Sequence, residues 1–258
     1  MTGFESIVCD HDGCTLAGLQ AQPTPSGDGS STSGTVMMFP GATGPGESFR
    51  AAMLELASEG YRVIAADMYG RDADLSTPES AGAHFTDLLA TPERLRERVL
   101  AWFERVSALP GADAERIAAI GYCFGGKCVL ELARSGARLS SVTSFHGLLT
   151  THAPARPGEV RTQVNVWTGG RDPYAPLADF DALREEFSAA GADLQATVFT
   201  QAQHSFTDPD HHGFADGIAY DAMAHAIAWE GTKTRLRLSI GAMSQTTVTD
   251  RQQGERIT

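Results

Sequence analysis

The chain has 258 residues, 42% of them hydrophobic, enough to build one substantial core. A formal net charge of -12 argues against nucleic acid or an anionic membrane surface as a partner. The first ten residues hold no basic segment leading into a long apolar run, and no stretch reaches the length of a membrane span, so a cytoplasmic location is expected.

In chain order, residues 6–9 and 14–21 read as a hairpin turned by Asp12-Gly13. Residues 23–34 are rich in Pro, Gly and Ser and read as a mobile surface loop. The short apolar run 35–39 predicts a buried strand. Residues 46–59 carry Phe49, Met53, Leu56 and Ala57 at helical spacing, with Gly60 as the stop. A strand over 61–65 leads into Asp67-Met68-Tyr69-Gly70. Residues 72–90 read as loop plus a short helix. Thr91-Pro92 opens a helix whose buried stripe is Leu95, Val99, Trp102, Phe103 and Val106, and Pro110-Gly111 ends it. Further strands are expected over 116–121, 141–145, 163–168 and 194–200, and helices over 124–135, 177–190 and 214–229. From Gly231 the chain turns basic and then polar. The alternation of Leu236, Leu238 and Ile240 suggests a short strand, and poor order is expected after about residue 243. Strands alternating with helices predict a mostly parallel sheet covered on both faces, as one domain over 1–230 with a tail over 231–258.

The four cysteines, Cys9, Cys14, Cys123 and Cys128, are too few and too irregular for a disulfide framework, which suits a reducing cytosol. Cys9 and Cys14 bracket His11, but no second pair follows at ligand spacing, so the hairpin reading outweighs a zinc site. No metal or cofactor is expected. Cys128 falls inside a helix and reads as a small buried hydrophobe.

Cys123 is different. It stands in Gly121-Tyr122-Cys123-Phe124-Gly125-Gly126, behind the apolar run Ile117–Ile120. A nucleophile with glycines two positions to either side marks the strained strand-to-helix turn of the α/β-hydrolase fold. In a parallel sheet the strand C-termini converge on one edge, and sites form there. Asp172 follows the strand expected over 163–168, and His204 follows the one over 194–200. The order nucleophile, acid, base is that of the same fold. An ordinary thiol is only a few per cent ionised near pH 7, so Cys123 needs a base. His204 would take its proton, and Asp172 would fix the imidazole tautomer. The oxyanion would need backbone donors. Phe124 N–H is one candidate and Ala42 N–H, after the strand over 35–39, is the second. Gly41, Tyr122 and His146 are candidate substrate contacts. For His146 a hydrogen-bonded structural histidine is an equal alternative, and for Tyr122 core packing is.

These pieces, with the Asp-Pro step at Asp172-Pro173, His204-Ser205-Phe206 and Glu59-Gly60-Tyr61 leading to Asp67-Met68-Tyr69-Gly70, resemble the dienelactone hydrolases over roughly residues 5 to 230. The resemblance implies metal-free hydrolysis of an ester or lactone by Cys123, Asp172 and His204. It also exposes departures. Gly41 stands where the family type has a glutamate near the thiol. Asp208 stands where it has one substrate-binding arginine, and no arginine occurs between Arg71 and Arg94 for the other. A neutral ester or lactone is therefore the expected substrate, for a monomer or small homo-oligomer. The rival reading is a non-catalytic relative that binds a small ligand or partner. Thiol redox chemistry at Cys123 ranks last, since no partner lies at Cys-x-x-Cys spacing.

Overall fold

The computed structural model describes residues 3–24 and 34–241. Eight strands form one sheet: β1 (Glu5–His11), β2 (Cys14–Ala21), β3 (Thr35–Phe39), β4 (Arg62–Ala65), β5 (Ile117–Tyr122), β6 (Ser141–Phe145), β7 (Gln163–Gly169) and β8 (Leu194–Phe199). Their spatial order is β1-β2-β4-β3-β5-β6-β7-β8. β1 and β2 pair antiparallel at one edge, β2 is antiparallel to β4, and every pairing from β4 through to β8 is parallel. Asp12 and Gly13 both take positive φ (47° and 73°), the backbone twist that lets two residues close the β1–β2 hairpin.

Six helices cover the sheet: α1 (Glu47–Ser58), α2 (Pro78–Ala90), α3 (Pro92–Ser107), α4 (Phe124–Arg134), α5 (Leu177–Ala190) and α6 (Ala222–Ile240). The period of two decides which residue meets which layer. Val36 and Met38 of β3 and Ala118 and Ile120 of β5 join the core under α1 and α6. Their neighbours Met37, Phe39, Ile117 and Ala119 join the core under α3, α4 and α5. All five residues of β3 are buried, as a central strand covered on both faces requires. α4 is buried along its whole length, charged side chains included. Arg134 pairs with Glu131 (3.1 Å) and Glu186 (2.9 Å), so these charges enter the interior matched.

Three expectations need correction. The ambiguous stretch before Thr91 holds a full helix, α2. It starts at a capping box in which Thr77 and Ser80 exchange side-chain and backbone bonds. The helix expected over 214–229 instead begins at Ala222, capped by Asp221, whose carboxylate accepts from Met223 N–H and Ala224 N–H. Residues before it cannot coil, because Gly217 has φ 83° and this stretch pairs with the backbone of His204: His204 N–H donates to Gly217 O (2.9 Å) and Ala219 N–H to His204 O (3.1 Å). No strand forms over 236–240. α6 continues to Ile240, burying Leu236 and Ile240 on the face that also carries Trp229, Thr232 and Lys233, while Leu238 points to solvent. The residues just after 230 are thus packed helix. The loop expected over 23–34 falls largely outside the described residues, as does everything after 241. Among the described residues no helix is long and apolar enough to cross a membrane.

Candidate active site

Cys123 sits between β5 and α4 with φ 52° and ψ -112°, a conformation that non-glycine residues rarely adopt. The glycines beside it are demanded by contact. A Cβ on Gly121 would lie 1.9 Å from Gly125 O, and one on Gly125 would lie 1.9 Å from Phe39 O. The turn therefore closes only if both positions lack side chains. His146 (φ 39°) and Ser205 (φ 55°) also have positive φ, so among the described residues three of the four non-glycine residues with positive φ belong to this one region.

The three groups expected to act together meet. His204 Nε2 lies 3.0 Å from Cys123 Sγ, and His204 Nδ1 lies 2.8 Å from Asp172 Oδ2. Asp172 and His204 are both 3% exposed. The other Asp172 oxygen, Oδ1, accepts from Tyr174 N–H (2.8 Å) and Ala175 N–H (3.1 Å), which locks the carboxylate plane. Burial works to lower the His204 pKa. The hydrogen bonds and charges of Asp172 and Cys123 outweigh it and push the value up to about 10. The arrangement favours the protonated imidazole of His204. Cys123 also caps α4, whose first N–H groups lack intrahelical acceptors and whose dipole favours negative charge.

Phe124 is the first residue of α4, so its N–H is one of those free donors. Its ring is gripped by Tyr69 (stacked, 5.7 Å) and Phe85 (edge-on, 5.5 Å). Gly41 and Ala42 line the same cleft as Cys123, and a Cβ on Gly41 would stand 3.8 Å from Cys123 Cβ. A side chain at 41 would thus reach the thiol, and here there is none. Ala42 O accepts from Tyr69 O–H (3.0 Å). Burial pushes the Tyr69 phenol pKa up, so it remains a donor. Tyr69 stands in the Asp67–Gly70 segment, yet nothing in its sequence context signals this hold on the loop.

His146 lines the cleft and packs edge-on to His204, with ring centroids 5.3 Å apart. Its Nε2 bonds Thr207 Oγ1 (2.8 Å), and burial, followed by the neighbouring His204, pushes its pKa well down. Burial thus favours the neutral form of His146. Tyr122 also lines the cleft, stacked on Phe145 at 4.9 Å. The cleft encloses about 540 Å³. Phe49, Phe85, Tyr174, Phe214, Ile218 and Trp229 are among its apolar wall residues, and no lysine or arginine is among its described lining residues. Glu55 and Asp208 are its carboxylates. Asp208 is not bare: its Oδ2 holds His211 Nδ1 at 2.8 Å, a pairing that the sequence alone did not suggest.

A family model described as "Dienelactone hydrolase family" matches residues 19–238. A relative from Escherichia coli K12 named "Putative carboxymethylenebutenolidase" is 26% identical over 241 residues, covering 89% of this chain and 86% of the relative. Among solved structures, one called m3DLH superposes with a TM-score of 0.82 at 30% identity, covering 92% of this chain and 98% of the other. Another, described as a dienelactone hydrolase-like promiscuous phosphotriesterase from metagenomic libraries, gives 0.81 at 29% identity, covering 93% and 99%.

Proposed function

We propose that this chain, which belongs to the dienelactone hydrolase family and is a carboxylic ester hydrolase, works with Cys123 as nucleophile, His204 as base and Asp172 as the acid that orients it. Cys123 Sγ attacks the carbonyl carbon of a bound ester or lactone, and the thiol proton resides on His204. The carbonyl oxygen becomes an oxyanion, met by the N–H groups of Phe124 and Ala42. The C–O bond then breaks, His204 returns the proton to the leaving oxygen, and a thioester remains on Cys123. Water next attacks that thioester and gives its proton to His204. The acid departs and the thiol recovers its proton. Asp172 stays ionised throughout and stabilises the imidazolium.

The observation that carries this reading is the unbroken relay Cys123–His204–Asp172 at 3.0 and 2.8 Å on a buried rim. The substrate is small and uncharged near the nucleophile. The cleft walls are largely apolar, and its formal charges include two carboxylates with no lysine or arginine among the described residues that line it. The reaction takes place in the cytosol. Steady hydrolysis of p-nitrophenyl acetate that vanishes in Cys123→Ala is the expected result. Equal, negligible rates in both proteins would reject this reading and favour the ligand-binding relative.

The same cleft, with no lysine or arginine among its described lining residues, admits an uncharged phosphotriester, the substrate class in the description of the relative at 29% identity. Thiol-dependent release of p-nitrophenol from a p-nitrophenyl dialkyl phosphate supports this second reading, and absence of release excludes it.

A further inference from the structure

Downstream of His204 the chain does not simply leave the site. It makes a short 3-10 turn, Pro209–His211, that crosses to the opposite rim. There it touches the loop after β3 and the start of α1. His211 Nε2 lies 3.3 Å from Thr43 Oγ1, next to Ala42. Asp210 Oδ2 accepts from Ser48 N–H (2.9 Å), supplying the first turn of α1 with the acceptor that its Gly46 cap lacks. Asp208 organises the turn from within: Oδ1 accepts from Asp210 N–H (2.9 Å) and Oδ2 holds His211 Nδ1 (2.8 Å). On its inner side the same loop is fastened by Tyr69 O–H to Ala42 O, and by its own Gly44 N–H to Gly41 O bond (3.0 Å).

The segment that carries the base and the loop that carries the second oxyanion donor are therefore clasped together. We propose that His211, oriented by Asp208, is a positioning residue: it fixes Thr43, and through it holds the Ala42 N–H at the distance an oxyanion requires. The proposal rests on the reading of Cys123 as nucleophile and of Ala42 as a donor. It accounts for an acidic residue at 208. In this chain that carboxylate aims an imidazole at the oxyanion loop, where a cation would serve the substrate directly. The bond to Thr43 persists whichever partner donates, since a hydroxyl both gives and accepts a hydrogen bond. Thr43 and His211 stand on the rim of the cleft, and its apolar walls are built by other residues, so loss of the clasp weakens the transition state more than ground-state binding.

The test is pre-steady-state acylation by p-nitrophenyl acetate in His211→Ala, His211→Gln, Thr43→Val and the double variant His211→Ala/Thr43→Val. One net hydrogen bond corresponds to roughly a two- to tenfold change in rate. Acylation should slow by about that factor in each of His211→Ala and Thr43→Val, with KM little changed. The double variant should be no slower than the worse single one. His211→Gln, whose amide nitrogen can stand in for Nε2, should recover most of the rate. Thr43 is exposed, so Thr43→Val keeps the test available where His211→Ala misfolds. Unchanged acylation in both single variants, fully additive losses, or a loss confined to KM would overturn the proposal. Failure of the underlying reading shows separately, as wild-type turnover retained by Cys123→Ala.

Discussion

Asp172→Asn removes one charge with almost no change of shape, and its cost can be worked from the contacts. Both carboxylate oxygens accept, Oδ2 from His204 Nδ1–H and Oδ1 from two backbone N–H groups. An amide has one oxygen, and two rigid backbone donors claim it. The NH2 group must then face His204 and compete with Nδ1–H for the same space. Without the carboxylate the imidazolium loses its partner and the ring becomes neutral, keeping its proton on Nε2, which points that proton at Cys123 and ends its service as a base. The lost charge-assisted bond is worth about 1.5–3 kcal/mol and the mismatched donors about 1–3 kcal/mol more. A rise of about 3–6 kcal/mol in the barrier is a fall of roughly 10²- to 10⁴-fold in kcat/KM. Steady-state hydrolysis of p-nitrophenyl acetate from pH 6 to 9 measures it, with circular dichroism to show that the variant is folded. A folded Asp172→Asn losing less than about tenfold would refute the tautomer argument.

Three further outcomes test other links. Gly125→Ala would place a methyl 1.9 Å from the backbone oxygen of Phe39. A cost of about 3 kcal/mol or more is expected, seen as a Tm lower by roughly 6 °C or more, and an unchanged Tm would show that the elbow has slack. The folded-state pKa of His204 is raised from 6.5 to about 10, so its stabilisation is complete below about pH 6.5 and is lost as pH rises toward 10. Wild type should therefore lose Tm between pH 7 and 10 faster than His204→Gln does, and parallel curves would contradict the ion pair. Ile240→Ala, in the last turn of α6, should cost about 2–4 kcal/mol by denaturant unfolding, because Ile240 is 1% exposed within the core. A cost under about 0.5 kcal/mol would mean that this turn is not docked.

The middle of the sheet was legible because β3, β4 and β5 carry short apolar runs, the pattern of strands buried on both faces. The elbow was legible because steric demand writes itself as glycine at fixed spacing around Cys123. Asp172 and His204 were found by their place just after strands, the edge where a parallel sheet gathers its chemistry. α6 misled for a physical reason. Its buried face includes Thr232, bonded to Trp167 Nε1 (3.0 Å), and Lys233, whose ammonium meets Glu55 and Glu230. Polar residues satisfied in this way blur the helical stripe, and the accidental alternation of Leu236, Leu238 and Ile240 took its place. Phe214 and Ile218 looked like helix residues, but they wall the cleft from a segment tied to the backbone of His204. The Asp208–His211–Thr43 clasp joins positions 168 residues apart, and no local pattern could signal it.

The central claim is that sulfur carries the acyl group. Acid-quenching the enzyme in the burst phase with p-nitrophenyl acetate, followed by peptide mass analysis, reads this directly. One acetyl group on the peptide containing Cys123, released by hydroxylamine and absent in Cys123→Ala, is the expected result. Steady turnover with the acetyl group on another residue, or unaffected by loss of Cys123, would contradict the account.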